Sequence, residues 1–137
     1  MDENTNKPPI KVLIAEDEES IRMVFAEYLR MEGFVVEEAE DGEQAIKKAK
    51  MFNYDIMLLD IMMPKKTGID VLQVIKKDPE TKDKKVIVLT VLARDPIVKQ
   101  AFALGADGYL VKDKLTPEDI KKYILRELEG PKMDISI

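Results

Sequence analysis

Four short, largely apolar runs constrain the fold of this chain more than any other feature of its sequence. They occupy residues 11–15, 56–59, 86–89 and 109–111. Apolar runs of this length predict strands that are buried on both faces. A further run, residues 34–39, is apolar at its beginning and acidic later, which predicts an exposed strand at the border of the sheet.

Segments with helical periodicity lie between these runs. They begin near residues 19, 42, 68, 96 and 117, and in each of them apolar residues return at three- and four-residue spacings. Gly33 and Gly105 predict left-handed ends for the first and fourth helices, and Thr116 with Pro117 predicts the start of the last. This alternation predicts a doubly wound α/β fold, in which helices cover both faces of a parallel sheet.

Length and composition limit the function further. We expect one compact unit at residues 10–128, a flexible N-terminal segment at 1–9 and a tail at 129–137. A net charge of −5 argues against nucleic acid as a partner, because phosphate binding depends on Lys and Arg. The chain has no Cys and no His, which excludes thiolate and imidazole chemistry. No apolar run is long enough to cross a bilayer, so we expect a cytoplasmic protein without membrane insertion.

Polar residues stand where each buried run ends. In chain order they are Glu16 with Asp17, then Asp60, Thr90 and Lys112. Ligands of open α/β sheets bind outside the carboxyl ends of the strands, so we expect these side chains to share one edge. Taken singly, each has an ordinary explanation as a helix-start acid, a turn former, a strand-end residue or a surface lysine. Their joint occurrence favours a site.

The three acids of this set predict a metal. Carboxylates at short range repel one another unless a proton or a cation compensates them. Ligands that are all oxygen favour Mg²⁺, which keeps several waters and leaves positions for phosphate oxygens. A carboxylate nucleophile beside a metal, a hydroxyl and a lysine is what phosphoryl transfer to Asp60 requires. Lys112 would neutralise the phosphoryl oxygens, and Thr90 would donate a hydrogen bond to them.

With these residues in place, the chain resembles the response regulator receiver family over about residues 10–128. The matching elements are the acidic pair, LLDIMMPKKTGID around Asp60, Thr90 after VIVL, and GADGYLVK ending at Lys112. The resemblance implies a flavodoxin-like, five-stranded parallel sheet with strand order 2-1-3-4-5 and five helices. It also implies a stand-alone receiver in two-component signalling or a phosphorelay.

The resemblance assigns roles to the acids and to one backbone group. Asp60 is the phosphoacceptor, and Asp17 and Asp60 bind Mg²⁺ directly. Glu16 acts largely through metal-bound water, and the backbone carbonyl of Met62 completes the protein ligands. The catalytic activity would then be limited to self-phosphorylation from a phosphohistidine donor and slow autodephosphorylation.

Two further residues are assigned to the switch. Thr90 moves toward the phosphate, and Tyr109 turns inward with it, which changes the surface of the fourth helix, fifth strand and fifth helix. Without the family pattern, Tyr109 would be interpreted as a half-buried strand aromatic. The expected partners are a histidine kinase or histidine phosphotransfer protein and an unidentified downstream protein. Phosphorylation-dependent homodimerisation stays open.

Some positions depart from the family pattern. Glu16 replaces the more frequent Asp, which should shift the water network of the metal but keep its charge. Val91 is larger than the Ala or Ser common beside the threonine, and it should narrow access for small phosphodonors. Met62 and Leu92 are apolar at positions that influence the attacking water in the family. We therefore expect a long-lived phosphoryl group.

Three other functions compete with this interpretation. A phosphatase of the haloacid dehalogenase type needs an acid two residues after its nucleophile, and position 62 is Met. A flavodoxin-like flavin protein shares the fold class, but no phosphate-binding loop follows the first strand. A pseudo-receiver would keep the fold as an interaction module without phosphorylation, and the intact set of acceptor residues argues against it.

Overall fold

The computed structural model describes residues 7–91 and 96–129. Within these ranges the predicted alternation is confirmed by five strands and five α-helices. They are β1 (Lys11–Ala15), α1 (Glu19–Met31), β2 (Val35–Ala39), α2 (Gly42–Met51), β3 (Ile56–Asp60), α3 (Gly68–Ile75), β4 (Lys85–Thr90), α4 (Pro96–Ala103), β5 (Gly108–Val111) and α5 (Pro117–Glu129). A short 3-10 helix, Lys112–Lys114, follows β5. Residues 1–6 and 130–137 lie outside the described residues, so the expected terminal segments stay predictions.

All five strands run parallel in one sheet, in the order β2-β1-β3-β4-β5. The expected order 2-1-3-4-5 is therefore confirmed, as is the position of the acidic β2 at the border. β2 begins at Val35, one residue later than predicted. The backbone N–H of Phe34 instead donates to the Leu29 carbonyl at the end of α1, and the Phe34 ring is buried in the core.

Alternate side chains of each central strand face opposite layers of helices. In β1, Leu13 and Ala15 pack in the cluster that α2, α3 and α4 cover. Val12 and Ile14 pack in the cluster that α1 and α5 cover. All four side chains are fully buried. Burial on both faces explains why the central strands appear in the sequence as nearly continuous apolar runs.

The predicted helix ends are present. Gly33 and Gly105 follow α1 and α4 with φ of 96° and 110°, a backbone conformation that side chains disfavour. At the start of α5, the Asp119 N–H donates to the Thr116 hydroxyl, and the Thr116 N–H donates to the Asp119 carboxylate. No helix in the described part of the chain is long and apolar enough to cross a membrane.

Candidate functional site

The carboxyl ends of β1, β3, β4 and β5 bring the predicted polar residues to one edge of the sheet. Glu16 and Asp17 directly follow β1, Asp60 and Thr90 end β3 and β4, and Lys112 directly follows β5. An open pocket of about 180 Å³ lies at this edge. Its lining residues are Asp17, Glu18, Asp60, Ile61, Met62, Thr90, Val91 and Lys112.

Three carboxylates cluster at this pocket. Glu16, Asp17 and Asp60 each offer one oxygen, and these oxygens all lie within 4.8 Å of one another. Glu16 and Asp60 are buried, whereas Asp17 is exposed. Glu16 Oε1 is buried beside the ammonium of Lys112. Carboxylates held this close in a buried site require a positive charge or a proton.

The ammonium of Lys112 supplies part of this positive charge. Its Nζ lies 2.9 Å from Glu16 Oε1, 3.2 Å from Asp60 Oδ2 and 3.6 Å from Glu18 Oε1. Burial lowers the pKa of Lys112, but the nearby Glu16 and Asp60 carboxylates outweigh this effect and raise it overall. Lys112 is therefore a fixed cation at neutral pH. One ammonium still leaves the three clustered acids with excess negative charge when all of them are ionised.

The surroundings of Asp60 raise the pKa of its carboxyl group. Burial and the neighbouring Glu16 carboxylate raise the pKa of Asp60 from its usual 3.8 to about 7, although Lys112 acts in the opposite direction. In the absence of a further cation, the Asp60 carboxyl group is therefore partly protonated near neutral pH. A cation bound among the three acids would favour the ionised carboxylate.

The donor set fits a hard divalent cation such as Mg²⁺. All three clustered side chains offer carboxylate oxygens, and the chain has neither Cys nor His to attract softer metals. Met62, expected to add its carbonyl, makes a different contact here, because its N–H donates to Asp60 Oδ1 at 3.2 Å. Met62 as a whole residue is 64% exposed. Its carbonyl as a ligand stays a prediction.

The β3–α3 loop is held tightly against Asp60. The Gly68 N–H donates to the Ile61 carbonyl at 2.8 Å. A Cβ atom at Gly68 would lie only 2.7 Å from the Asp60 backbone oxygen, so this close approach requires glycine. Within the same loop, Lys65 has a positive φ of 69°, which costs energy for a residue with a side chain.

Thr90 and Val91 form the side of the pocket that β4 supplies. Thr90 is buried, whereas Val91 is about half exposed. Both residues line the pocket, as expected from their positions after the apolar run. Leu92 lies outside the described residues.

Tyr109 lies on β5 with its side chain toward the surface. It is partly exposed, and its ring contacts the Phe102 ring of α4 edge to face, with centroids 6.1 Å apart. The contact joins α4 to β5. The sequence did not reveal this aromatic pair, because it depends on how α4 packs against the sheet.

Sequence reasoning missed two residues around the acids. Glu18 lines the pocket, and its N–H donates to Glu16 Oε2 at 3.0 Å. Arg22 is buried, and its Nη1 donates to the backbone carbonyl of Glu16 at 2.8 Å. One signal for Arg22 was present, since it shares the helical spacing of the apolar residues Phe25, Ala26 and Leu29.

A family model and several curated proteins match this sequence. The family model described as a response regulator receiver domain matches residues 12–125. The transcriptional regulatory protein ResD of Bacillus subtilis is 40% identical over 102 residues, which are 74% of this chain and 41% of that protein. The transcriptional regulatory protein PdtaR of Mycobacterium tuberculosis is 41% identical over 105 residues, 76% of this chain and 50% of that protein. The chain thus spans at most half the length of these curated relatives.

Solved structures agree in fold. The chemotaxis response regulator CheY4 of Vibrio cholerae superposes with a TM-score of 0.81 at 31% identity, covering 87% of this chain and 98% of that chain. The receiver domain of the sensor histidine kinase PA1611 of Pseudomonas aeruginosa, solved with a magnesium ion in its active-site cleft, gives 0.80 at 25% identity. That match covers 90% of this chain and 100% of the PA1611 receiver chain. From the family model, the relatives and the fold together, the chain belongs to the response regulator receiver family.

Proposed function

We propose that Asp60 accepts a phosphoryl group from the phosphohistidine of a separate kinase or phosphotransfer protein, with Mg²⁺ bound at the acidic cluster. The observation that carries this proposal is the placement of Asp60. Its carboxylate lies at the pocket, 3.2 Å from the Lys112 ammonium and grouped with the Glu16 and Asp17 carboxylates. The phosphohistidine must lie outside this sequence, because residues 1–137 contain no His.

The chemistry divides among the pocket residues. An ionised Asp60 oxygen attacks phosphorus, a P–O bond forms, and the P–N bond to the donor imidazole breaks. The departing imidazole nitrogen keeps the electron pair of that bond and takes up a proton. Lys112 neutralises charge on the transferred oxygens, and the Thr90 hydroxyl donates a hydrogen bond to one of them. The product is an acyl phosphate on Asp60.

The Glu16, Asp17 and Asp60 carboxylates and the Met62 backbone carbonyl would hold the metal, with Glu16 acting largely through water. Bound Mg²⁺ would supply positive charge that keeps Asp60 ionised and offsets the charge of the phosphoryl oxygens. The magnesium ion in the PA1611 receiver supports this assignment. So does the grouping of three carboxylate oxygens within 4.8 Å of one another.

The output would pass through Thr90 and Tyr109. Movement of Thr90 toward the phosphoryl group would open space for the Tyr109 ring to turn inward and leave its edge-to-face contact with Phe102. That change would alter the surface formed by α4, β5 and α5. A downstream protein, or a second copy of this chain, would bind the altered surface.

Hydrolysis of the acyl phosphate should be slow. Met62 lines the pocket with an apolar side chain, which cannot orient a water molecule for attack on phosphorus. We therefore propose a lifetime well beyond seconds. Decay of the phosphorylated protein within seconds would contradict this part of the proposal.

Intact-mass spectrometry tests the proposal. Native protein and Asp60→Ala are incubated with acetyl phosphate or phosphoramidate, each with Mg²⁺ or with EDTA. We expect the mass of one phosphoryl group on the native protein with Mg²⁺ alone. Because Val91 is expected to narrow access for small phosphodonors, a negative result is repeated with a phosphorylated histidine protein. Failure with both classes of donor would contradict the proposal and favour a pseudo-receiver.

A further inference from the structure

Arg22 is a charged residue on the buried face of α1. It is 7% exposed and shares that face with Phe25, Ala26 and Leu29. Its guanidinium connects two parts of the chain: Nη1 donates to the Glu16 carbonyl at 2.8 Å, and Nε donates to Glu38 Oε1 of β2 at 3.1 Å. A buried charge of this kind is tolerated because its hydrogen bonds are satisfied.

The Glu16 backbone is consequently held from both sides. Its N–H donates to the Ala39 carbonyl at 3.0 Å, which extends the pairing of β1 with β2. Its carbonyl accepts the hydrogen bond from Arg22. The carbonyl of Glu16 and the nitrogen of Asp17 belong to one planar peptide unit. The hydrogen bond from Arg22 therefore fixes the orientation of the peptide plane between Glu16 and Asp17.

The position of the Asp17 carboxylate depends on this peptide plane more than the positions of the Glu16 and Asp60 carboxylates do. Glu16 and Asp60 are buried, and both have Lys112 as an ion-pair partner. Asp17 is exposed, and no hydrogen bond or ion pair to another described residue holds its carboxylate. Its carboxylate nevertheless lies within the 4.8 Å cluster. The backbone is the part of Asp17 that the structure fixes.

We propose that Arg22 is a positioning residue for the metal site, which orients the Glu16–Asp17 peptide so that the Asp17 carboxylate faces Asp60. This inference rests on the proposed function, since it concerns the affinity of the same acidic cluster for a divalent cation. Groups that orient metal ligands commonly change metal affinity by about 10–100-fold when they are removed.

Arg30 offers a matched control. Its Nη1 donates to Glu38 Oε2 at 2.9 Å and its Nη2 donates to the Val36 carbonyl at 2.8 Å. It therefore shares the Glu38 partner and the charge of Arg22, but it makes no contact with Glu16 and its side chain is 45% exposed. Replacement of either arginine by Met removes one positive charge from the protein.

The direction in which Arg22→Met changes the affinity for a divalent cation distinguishes a positioning role of Arg22 from a purely electrostatic one. Loss of a nearby cation reduces repulsion, so by charge alone Arg22→Met should bind a divalent cation more tightly than the native protein. If Arg22 positions Asp17, the same variant should bind the cation more weakly. A general loss of stability would appear in thermal unfolding of both arginine variants in EDTA.

The experiment measures Mn²⁺ binding, with no phosphodonor, from the electron paramagnetic resonance signal of the free ion. It compares native protein, Arg22→Met, Arg22→Lys and Arg30→Met at a temperature where each is folded. We expect Arg22→Met to weaken binding about tenfold and Arg30→Met to stay within about twofold of native. Arg22→Lys should fall between them, because one ammonium cannot reproduce the fork that reaches both Glu16 and Glu38.

Each outcome decides a different point. Native-like or tighter binding by Arg22→Met, beside measurable binding by the native protein, would overturn the inference and leave the proposed function standing. Absence of Mn²⁺ binding by the native protein would contradict both. If Arg22→Met does not fold, Arg22→Lys decides: weakened binding supports the inference, and unchanged binding overturns it.

Discussion

Lys112 Nζ lies 3.2 Å from Asp60 Oδ2, with side-chain exposures of only 7% and 4%. The pair joins the end of β3 to the residue after β5. Because Glu16 Oε1 lies 2.9 Å from the same ammonium, two buried carboxylates share one cation. Burial, together with this imbalance of charge, raises the pKa of Asp60. The predictions about Lys112 and Asp60 that follow depend on these two effects.

Loss of the shared cation should destabilise the metal-free protein. Lys112→Met leaves two buried carboxylates without their ammonium, and we expect the free energy of unfolding at pH 8 to fall by about 3 kcal/mol. The loss should be smaller at pH 5, where Asp60 is protonated. Urea unfolding at both pH values measures it. Lys114→Met, which removes an exposed lysine, is the control, and equal effects of the two substitutions would contradict the prediction.

The raised pKa of Asp60 gives stability a defined pH dependence. Because the folded-state pKa is about 7 instead of the usual 3.8, the folded protein keeps a proton that the unfolded chain releases. The corresponding stabilisation is full below about pH 4 and is lost as pH rises toward 7. Asp60→Asn, which mimics the protonated acid, should therefore gain stability relative to native protein across that window. Urea unfolding in EDTA measures the difference, and a difference independent of pH would refute the prediction.

Protons and metal should compete for Asp60. Below pH 7 the carboxylate must release its proton before it can bind a cation, so the apparent Mg²⁺ affinity should weaken by up to about tenfold per pH unit. Above that pH the dependence should level off. Calorimetric titration with Mg²⁺ from pH 5.5 to 8 tests this, and an affinity that stays constant over the range would argue against a cation at Asp60.

Backbone strain at Lys65 should be removable. Lys65 has a φ of 69°, and its exposed side chain places the ammonium 3.7 Å from the Asp41 carboxylate, a long ion pair that contributes little. Lys65→Asn should stabilise the protein by about 0.5–1 kcal/mol, because Asn tolerates this conformation better. Lys66→Asn is the control, since Lys66 lacks a positive φ. Thermal unfolding compares them, and destabilisation by Lys65→Asn alone would contradict the strain assignment.

The helices and strands, but not the order of the strands, could be predicted from local patterns. Burial on both faces made the central strands visible as apolar runs, and Gly33 and Gly105 marked helix ends through their backbone freedom. The strand order came from the family resemblance, since no spacing in the sequence determines which strands pair. The start of β2 was wrong by one residue, because the Phe34 N–H closes α1 instead of joining the ladder.

The site was predictable to the extent that strand ends determine it. Parallel strands bring Glu16, Asp60, Thr90 and Lys112 to one edge, and their residue types could be read directly. The contacts of Arg22 could not be predicted from the sequence, because tertiary packing determines which residues of β2 and of the segment after β1 lie beside it. The exposure of Tyr109 and its contact with Phe102 also depend on tertiary packing, because they are determined by how α4 packs against the sheet.

The most direct measurement is the chemical location of the transferred group. A phosphorylated histidine protein is mixed with native protein or Asp60→Asn, each with Mg²⁺ or EDTA, and the acyl phosphate is reduced with borohydride before tandem mass spectrometry. We expect the reduced residue at position 60 of the native protein, dependent on Mg²⁺, and no transfer to Asp60→Asn. Transfer to another residue, or undiminished transfer to Asp60→Asn, would contradict the assignment of Asp60 as phosphoacceptor.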